Sequence, residues 1–321
     1  MSRRRPSLKL LFVADPLERF DPVRETSLLL MREAQRRGHE IFATVPEQLS
    51  ARRSGVSAPC QKLKILGKAG AKNWCRILGT KTRELRSFDA ILLRKDPPFD
   101  QNYLHHLYLL DLLSREVYMM NHPRGILAGN EKILPLHFPE LVPETLISAD
   151  FQTLFDFAQS QKTGTVIKPL NSSGGRGVFL LRKPTAENFR VILESATDNF
   201  NRYVVAQAFL PQVARGDKRI VLLGGEPLGA FVRRPAKGEH RANLHAGGTA
   251  HKAKLTDKDR KILDTLQPSL RLMGLDFVGL DVIGDKLTEI NVTSPMGLYE
   301  INVANRSRTE MQVIDFIEEK I

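Results

Sequence analysis

Disulfides cannot be what holds this chain together. Among 321 residues there are two cysteines, Cys60 and Cys75, far fewer than a disulfide-stapled scaffold carries, and their separation matches no common metal-ligand spacing. The expectation is two free thiols in a reducing cytosol. Nor is there an apolar run approaching the roughly 18 residues of a membrane span. The apolar stretch 8–14 follows Arg3-Arg4-Arg5 but is short, contains Lys9 and ends at Asp15-Pro16, so it reads as a first strand and not as a signal peptide. We therefore expect a soluble, cytoplasmic protein without a membrane partner. The chain also lacks internal repeats, low-complexity tracts and any Walker sequence, which excludes a P-loop enzyme.

Basic residues, by contrast, are in excess: 48 Lys and Arg against 36 Asp and Glu give a net charge of +12. Much of the excess is local, with ten Lys or Arg between Ser50 and Ser87 against one acid, Glu84. That segment has one tryptophan, Trp74, and no aromatic interleaving of the kind on which bases stack. It reads as a solvated basic insertion, and no nucleic-acid partner is expected.

The first 125 residues alternate strand and helix patterns: strand at 8–14, helix at 23–37 stopped by Gly38, strand at 40–45, and a buried strand at 89–93. A helix follows, N-capped by Asp100 with Leu104, Leu107, Tyr108 and Leu112 at helical spacing, then a strand at 117–120. Alternation of this kind predicts a doubly wound parallel sheet in an α/β fold. His122-Pro123-Arg124-Gly125 reads as a linker. In the middle third, strands at 165–168 and 178–181 flank a glycine-rich flap at 171–177, and in the last third a helix over 256–272 opens on a Thr256/Asp259 capping pair. Two more strands follow, at 277–283 and 287–292. The division expected is 1–124, 125–206 and 207–321.

Three features carry chemistry. On the last two strands Asp281, Glu289 and Asn291 interrupt otherwise apolar sequence. A hairpin loop of odd length, such as Gly284-Asp285-Lys286, would set Asp281 across from Glu289 and make the three converge. Two carboxylates and an amide oxygen are hard ligands suited to Mg²⁺, or Mn²⁺ in its place. Second, Lys168 ends a strand just before Ser173, Gly174 and Gly175 of the flap, a lysine beside glycine-freed backbone N–H groups of the kind that binds phosphate. Third, residues 233–248 are basic, glycine-punctuated and poor in core formers. They read as a mobile lid whose arginines close over anionic reactants.

Several strings are more specific than these classes: Arg94-Lys95-Asp96-Pro97-Pro98-Phe99-Asp100, Glu33-Ala34-Gln35-Arg36-Arg37-Gly38, Gly216-Asp217-Lys218-Arg219 and Leu287-Thr288-Glu289-Ile290-Asn291-Val292-Thr293-Ser294-Pro295. They resemble the signature stretches of bacterial glutathione synthetase, from about Leu10 to Pro295. The resemblance implies a pre-ATP-grasp N-terminal domain followed by a two-lobed α+β ATP-grasp domain. It also implies ATP as co-substrate, with Lys132 and Lys168 on its phosphates and Gln207 beside adenine. Backbone groups of Ala208 and Leu210 would read the base edge, Asp217 would lie near the ribose, and Asp281, Glu289 and Asn291 would hold Mg²⁺. Arg233 and Arg241 would make the catalytic lid contacts. On its own Lys132 reads only as a surface lysine.

The activity implied is ligation of γ-glutamylcysteine and glycine through an acyl phosphate, by a homo-oligomer. Tyr299 stands where this family suggests an arginine, with Arg306 or Arg308 as expected replacements. It keeps open an ATP-dependent ligase for a different acid and amine.

Overall fold

The computed structural model describes residues 6–67, 70–71, 73–236, 239, 242–244 and 247–321. The chain opens with β1 (Lys9–Ala14), α1 (Thr26–Arg36) and β2 (Glu40–Thr44), the two strands pairing in parallel. Next come β3 (Ser50–Arg52), β4 (Gly55–Ile65) and β5 (Cys75–Glu84), which pair antiparallel. β6 (Ala90–Arg94), α2 (Gln101–Asp111) and β7 (Tyr118–Met120) then resume the parallel pattern. The order is β3-β4-β2-β1-β6-β7, with β5 joined to β4. Residues 10–14 and 90–93 are buried at every position, as in parallel strands covered on both faces. Asp100 accepts from the Tyr103 N–H and starts α2 as its sequence predicts.

The sheet is therefore mixed, and the basic segment is what makes it so. Those residues form a hairpin. β4 buries Val56, Ala58 and Cys60 at alternate positions, while β5 is exposed along nearly its whole length. Trp74 stacks on Phe20 at 5.6 Å, and the Arg83 guanidinium lies over the Phe42 ring.

α3 (Pro123–Ala128) occupies the stretch expected to be a linker. His122 accepts from the Arg124 N–H, Pro123 fits the first helical turn, and Gly125 permits close approach, since a Cβ there would sit 2.2 Å from the Met273 carbonyl. Proline and glycine here mark a helix start and a tight contact.

A small antiparallel sheet follows, from β8 (Thr145–Ser148), α4 (Phe151–Ser160), β9 (Thr165–Pro169), β10 (Phe179–Leu181), α5 (Ala186–Thr197) and β11 (Val204–Ala208), in the order β10-β9-β11-β8. It has its own core of Leu154, Ile167, Phe189, Leu193 and Val204. Gln207 and Ala208 fold with this sheet.

The last sheet takes β12 (Asp217–Leu223), β13 (Glu226–Arg234), β14 (Thr249–Lys252), β15 (Phe277–Ile283) and β16 (Lys286–Asn291), in the order β14-β13-β12-β15-β16. α6 (Asp257–Leu272) precedes β15, with Thr256 and Asp259 forming the capping box and Ile262, Leu263, Leu266 and Leu270 the buried face. Burying each such side chain is worth about 1.5–3 kcal/mol. α7 (Leu298–Asn305) and α8 (Thr309–Lys320) complete the chain, and α8 packs back on α1. Asn121, at the end of β7, accepts from the Phe277 N–H at 2.6 Å and donates to the Phe277 and Val292 carbonyls at 2.8 and 2.7 Å. That buried amide fixes the first sheet against the strands that carry the site. No described helix is long and apolar enough to cross a membrane.

Candidate active site

β15 and β16 pair so that Asp281 faces Glu289 and Gly279 faces Asn291. The register is the one expected, but its cause is different. Ile283 pairs with Lys286 and Val282 with Leu287, so the turn holds two residues, Gly284 and Asp285, and a bulge between Asp281 and Val282 restores the offset. Thr288 fills that bulge, its hydroxyl donating to the Asp281 carbonyl at 3.1 Å. Asn291 Nδ2 lies 3.4 Å from Asp281 Oδ2 and also donates to the Gly279 carbonyl, which turns its amide nitrogen away from a ligand role and leaves the oxygen for one.

Two arginines occupy Asp281. Arg219 reaches it in two places, Nε to Oδ1 at 2.6 Å and Nη2 to Oδ2 at 3.1 Å, and Arg233 Nη2 stands 2.9 Å from Oδ1. Burial alone would raise the Asp281 pKa, but the two guanidiniums hold it down to about 2. Arg233 also donates to Asp217 at 2.5 Å, the residue opposite it across β12 and β13. At Asp217 burial prevails and lifts the pKa to about 6. Asp217 Oδ1 and Arg233 Nε are buried with no partner among the described residues. Arg233 thus belongs to strand β13, not to a loop, and it is buried. Arg241 lies outside the described residues. Of the stretch expected as a lid, Arg233 and Arg234 pair with β14, which follows it, and Ala242 is buried beside Phe209 and Val213.

Across the cleft, Lys168 Nζ donates to Gln207 Oε1 at 2.9 Å and stands 3.9 Å from Glu289. Burial lowers its pKa, while Glu289 pulls the other way. Lys132 is buried and donates to the Ser172 carbonyl at 2.6 Å, so it holds the flap from below. Gly174 and Gly175 adopt φ of +67° and +77°, which side-chain-bearing residues rarely take, and this lets the flap bend over the cleft. The Ala208 N–H is spent on the Glu144 carbonyl, leaving only its carbonyl for a base edge, whereas the Leu210 N–H has no partner among the described residues.

These residues line two cavities with a common wall. One is bounded by Lys132, Lys168, Gln207, Ala208, Leu210 and Asp217. The other, of 600 Å³, is bounded by Arg219, Arg233, Asn291, Phe231, Met296 and Glu300 among others. Ser172, Ser173, Gly174, Asn243, Asp281 and Glu289 border both. All the expected site residues among those described therefore converge here. Among the described residues no three His, Cys, Asp or Glu are placed to hold a metal; Asp281 and Glu289 are the two carboxylates that meet at the wall, with the Asn291 amide beside them.

Arg219 was given no role in the sequence reading. The signal was present: Asp217 and Arg219 alternate in a strand that continues Ile220-Val221-Leu222-Leu223, where an arginine needs a buried partner. Arg308 is not a replacement for the arginine absent at 299, because it pairs with Glu33 and Glu310 at 2.8 and 3.2 Å. Neither Arg306 nor Tyr299 borders the large cavity, whereas Arg24 does.

The model of the prokaryotic glutathione synthetase N-terminal domain matches residues 8–126, and that of the ATP-grasp domain of the same family matches residues 131–306. The chain belongs to the prokaryotic glutathione synthetase family. The glutathione synthetase of Gloeobacter violaceus is 40% identical over 318 residues, covering 97% of each chain. That of Brucella melitensis is 40% identical over 296 residues, covering 92% of this chain and 93% of its own. Among solved structures, D-cycloserine synthetase DcsG superposes with a TM-score of 0.66 at 14% identity, covering 97% of this chain and 99% of its own. A RimK domain protein from Sphaerobacter thermophilus gives 0.61 at 18%, covering 96% and 98%. Membership makes the chain an ATP-grasp ligase that joins a carboxylate to an amine.

Proposed function

We propose that this ligase joins γ-glutamylcysteine to glycine, consuming ATP and releasing ADP and phosphate. The observation that carries the reading is the common wall. Asp281, Glu289 and the flap separate the cleft lined by Lys132, Lys168 and Gln207 from a larger cavity, so a phosphoryl group would pass between reactants held on either side of them. The γ-phosphoryl group would leave ADP and bond to the dipeptide's C-terminal carboxylate. The glycine amine would then attack that carbonyl carbon, and phosphate would depart with the C–O bonding electrons. Such chemistry depends on position and electrostatics and needs no protein nucleophile. Lys168 and Lys132 would neutralise phosphate oxygens, and Arg219 and Arg233 would meet charge developing on the acid side. Asp281, Glu289 and the Asn291 amide oxygen fit Mg²⁺ as a hard, all-oxygen donor set, and the ion when bound supplies charge neutralisation of the phosphates. Loading requires Asp281 to exchange guanidinium contacts for metal. The flap and Ala242 to Leu244 would keep water from the acyl phosphate.

The names and extended identity of the relatives support this choice of substrates. Phosphate release from ATP, measured across a panel of acid and amine pairs, tests it. The expected result is a kcat/KM for γ-glutamylcysteine with glycine well above every other pair; turnover confined to another acid would sink the substrate assignment and leave the ligase.

A further inference from the structure

The large cavity has a region not shared with the nucleotide side, bordered by Asp21, Arg24, Phe231, Leu244, Met296 and Glu300. Its charges come from segments far apart in sequence, the loop entering α1 and the first turn of α7. Asp21 Oδ1 accepts from the Val23 and Arg24 N–H groups at 2.8 and 3.2 Å, which sets that loop and leaves Oδ2 for another donor. The Arg24 side chain is 51% exposed, and its Nε stands 4.0 Å from Glu300, beyond hydrogen-bond reach. Arg219 and Arg233 border the same cavity, but Asp281 and Asp217 already engage them. Arg24 is a cation whose donors remain open. Glu300 is only 7% exposed, a carboxylate set in a wall that otherwise presents Phe231 and Met296. Arg176 enters the cavity from the flap, whereas Arg24 lies beside two carboxylates in a wall that also presents Phe231 and Met296, a set that matches an ammonium and a carboxylate on one carbon followed by a methylene stem.

We infer that this region reads the free α-amino-acid head of the acid substrate, Arg24 taking its α-carboxylate and Glu300 with Asp21 its α-ammonium. The inference rests on the ligase reading and deepens it: the acid must end in an unblocked amino-acid head, as a γ-linked glutamyl group does and an α-linked peptide residue does not.

The test uses the full-length protein with Mg-ATP and glycine, and three acids: γ-glutamylcysteine, glutaryl-cysteine, which lacks the α-ammonium, and 4-aminobutanoyl-cysteine, which lacks the α-carboxylate. Loss of a charge-assisted contact should raise KM for either truncated acid about 10- to 100-fold in the wild type, with KM for ATP unchanged. Arg24→Gln should raise KM for γ-glutamylcysteine and glutaryl-cysteine but leave 4-aminobutanoyl-cysteine as it was, its partner being gone already; Glu300→Gln should give the mirror pattern. Arg24→Gln raising KM equally for all three acids, or for none, overturns the assignment. So does the Arg24 pattern appearing instead in Arg176→Gln, the cation that the flap lends to the same cavity. If γ-glutamylcysteine is not turned over but another acid with a free amino-acid head is, and Arg24→Gln raises its KM, the head site stands and the glutathione reading falls. Turnover only of acids without such a head removes this inference and keeps the ligase.

Discussion

Two clusters in this molecule use the same materials, arginine and carboxylate, to different ends. At the junction of α1 and α8, Glu33 accepts from Arg36 at 2.7 and 2.8 Å, from Arg37 at 2.9 Å and from Arg308 at 2.8 Å. Arg37 goes on to Asp315 at 2.6 Å and to the Met311 carbonyl. Hydrogen bonds from Arg36, then Arg37, hold the Glu33 pKa down to about 2 against its burial. In the cleft, Asp217 is instead raised to about 6, and it and Arg233 each keep a buried atom with no partner among the described residues. A network that only has to hold two helices together satisfies its acceptors. One that has to receive reactants keeps part of its capacity unspent and tolerates the cost.

The sharpest break of that comparison is Glu289→Gln. It removes a carboxylate from the wall between the cavities without disturbing any core contact. We expect kcat to fall about 100-fold or more while the circular dichroism spectrum and Tm stay near wild type; near-normal turnover would remove Glu289 from the site. Glu33→Ala should do the reverse. Arg37 would lose a buried partner, costing about 1–3 kcal/mol, seen as a Tm drop of roughly 2–4 °C per kcal/mol for a domain of moderate size. Its kcat/KM should remain that of wild type, and a lost activity with unchanged Tm would contradict the division.

Smaller still is Arg308→Gln, whose half-exposed ion pairs are worth about 1 kcal/mol or less. KM for the acid substrate should not move, and a rise in it would reinstate Arg308 as a substrate cation. Finally, because the folded-state pKa of Glu33 is depressed, its contribution to stability is present above its unfolded pKa, about 4.5, and is lost as pH falls toward 2. The Tm difference between wild type and Glu33→Gln should therefore shrink between about pH 4.5 and 2; a constant difference would mean that the charge on Glu33 is not what matters.

The same contrast explains what could be read in advance. Glu33-Ala34-Gln35-Arg36-Arg37-Gly38 has its partners at i+3 and i+4 on one helix, so that half of the structural network was local. The metal-type set was legible for a similar reason. Asp281, Glu289 and Asn291 lie on adjacent strands, and alternation alone puts each on a face. Lys132 was legible only through family resemblance, since nothing within a few residues says that it reaches the Ser172 carbonyl. Position 125 misled because a glycine after a proline marks a turn in most contexts, and here it marks the close approach of α3 to the Met273 carbonyl. The basic segment misled because its charges pointed to solvent, while the apolar alternation of β4 beneath them was the stronger instruction.

What the sequence settled by itself is whatever depends on neighbours within a turn or a strand: the apolar runs of β1 and β6, the caps at Asp100 and Thr256, the glycine flap, and the oxygen donors interrupting the last hairpin. Backbone period and capping act over a few residues, so those residues suffice. Tertiary structure decided everything that joins distant segments. It set the bulge at Thr288 that brings Asp281 opposite Glu289, the grip of Arg219 and Arg233 on Asp281, and the meeting of Arg24 with Glu300 across most of the chain. Those contacts exist only after non-local closure, where burial raises Asp217 while the guanidiniums of Arg219 and Arg233 hold equally buried Asp281 down.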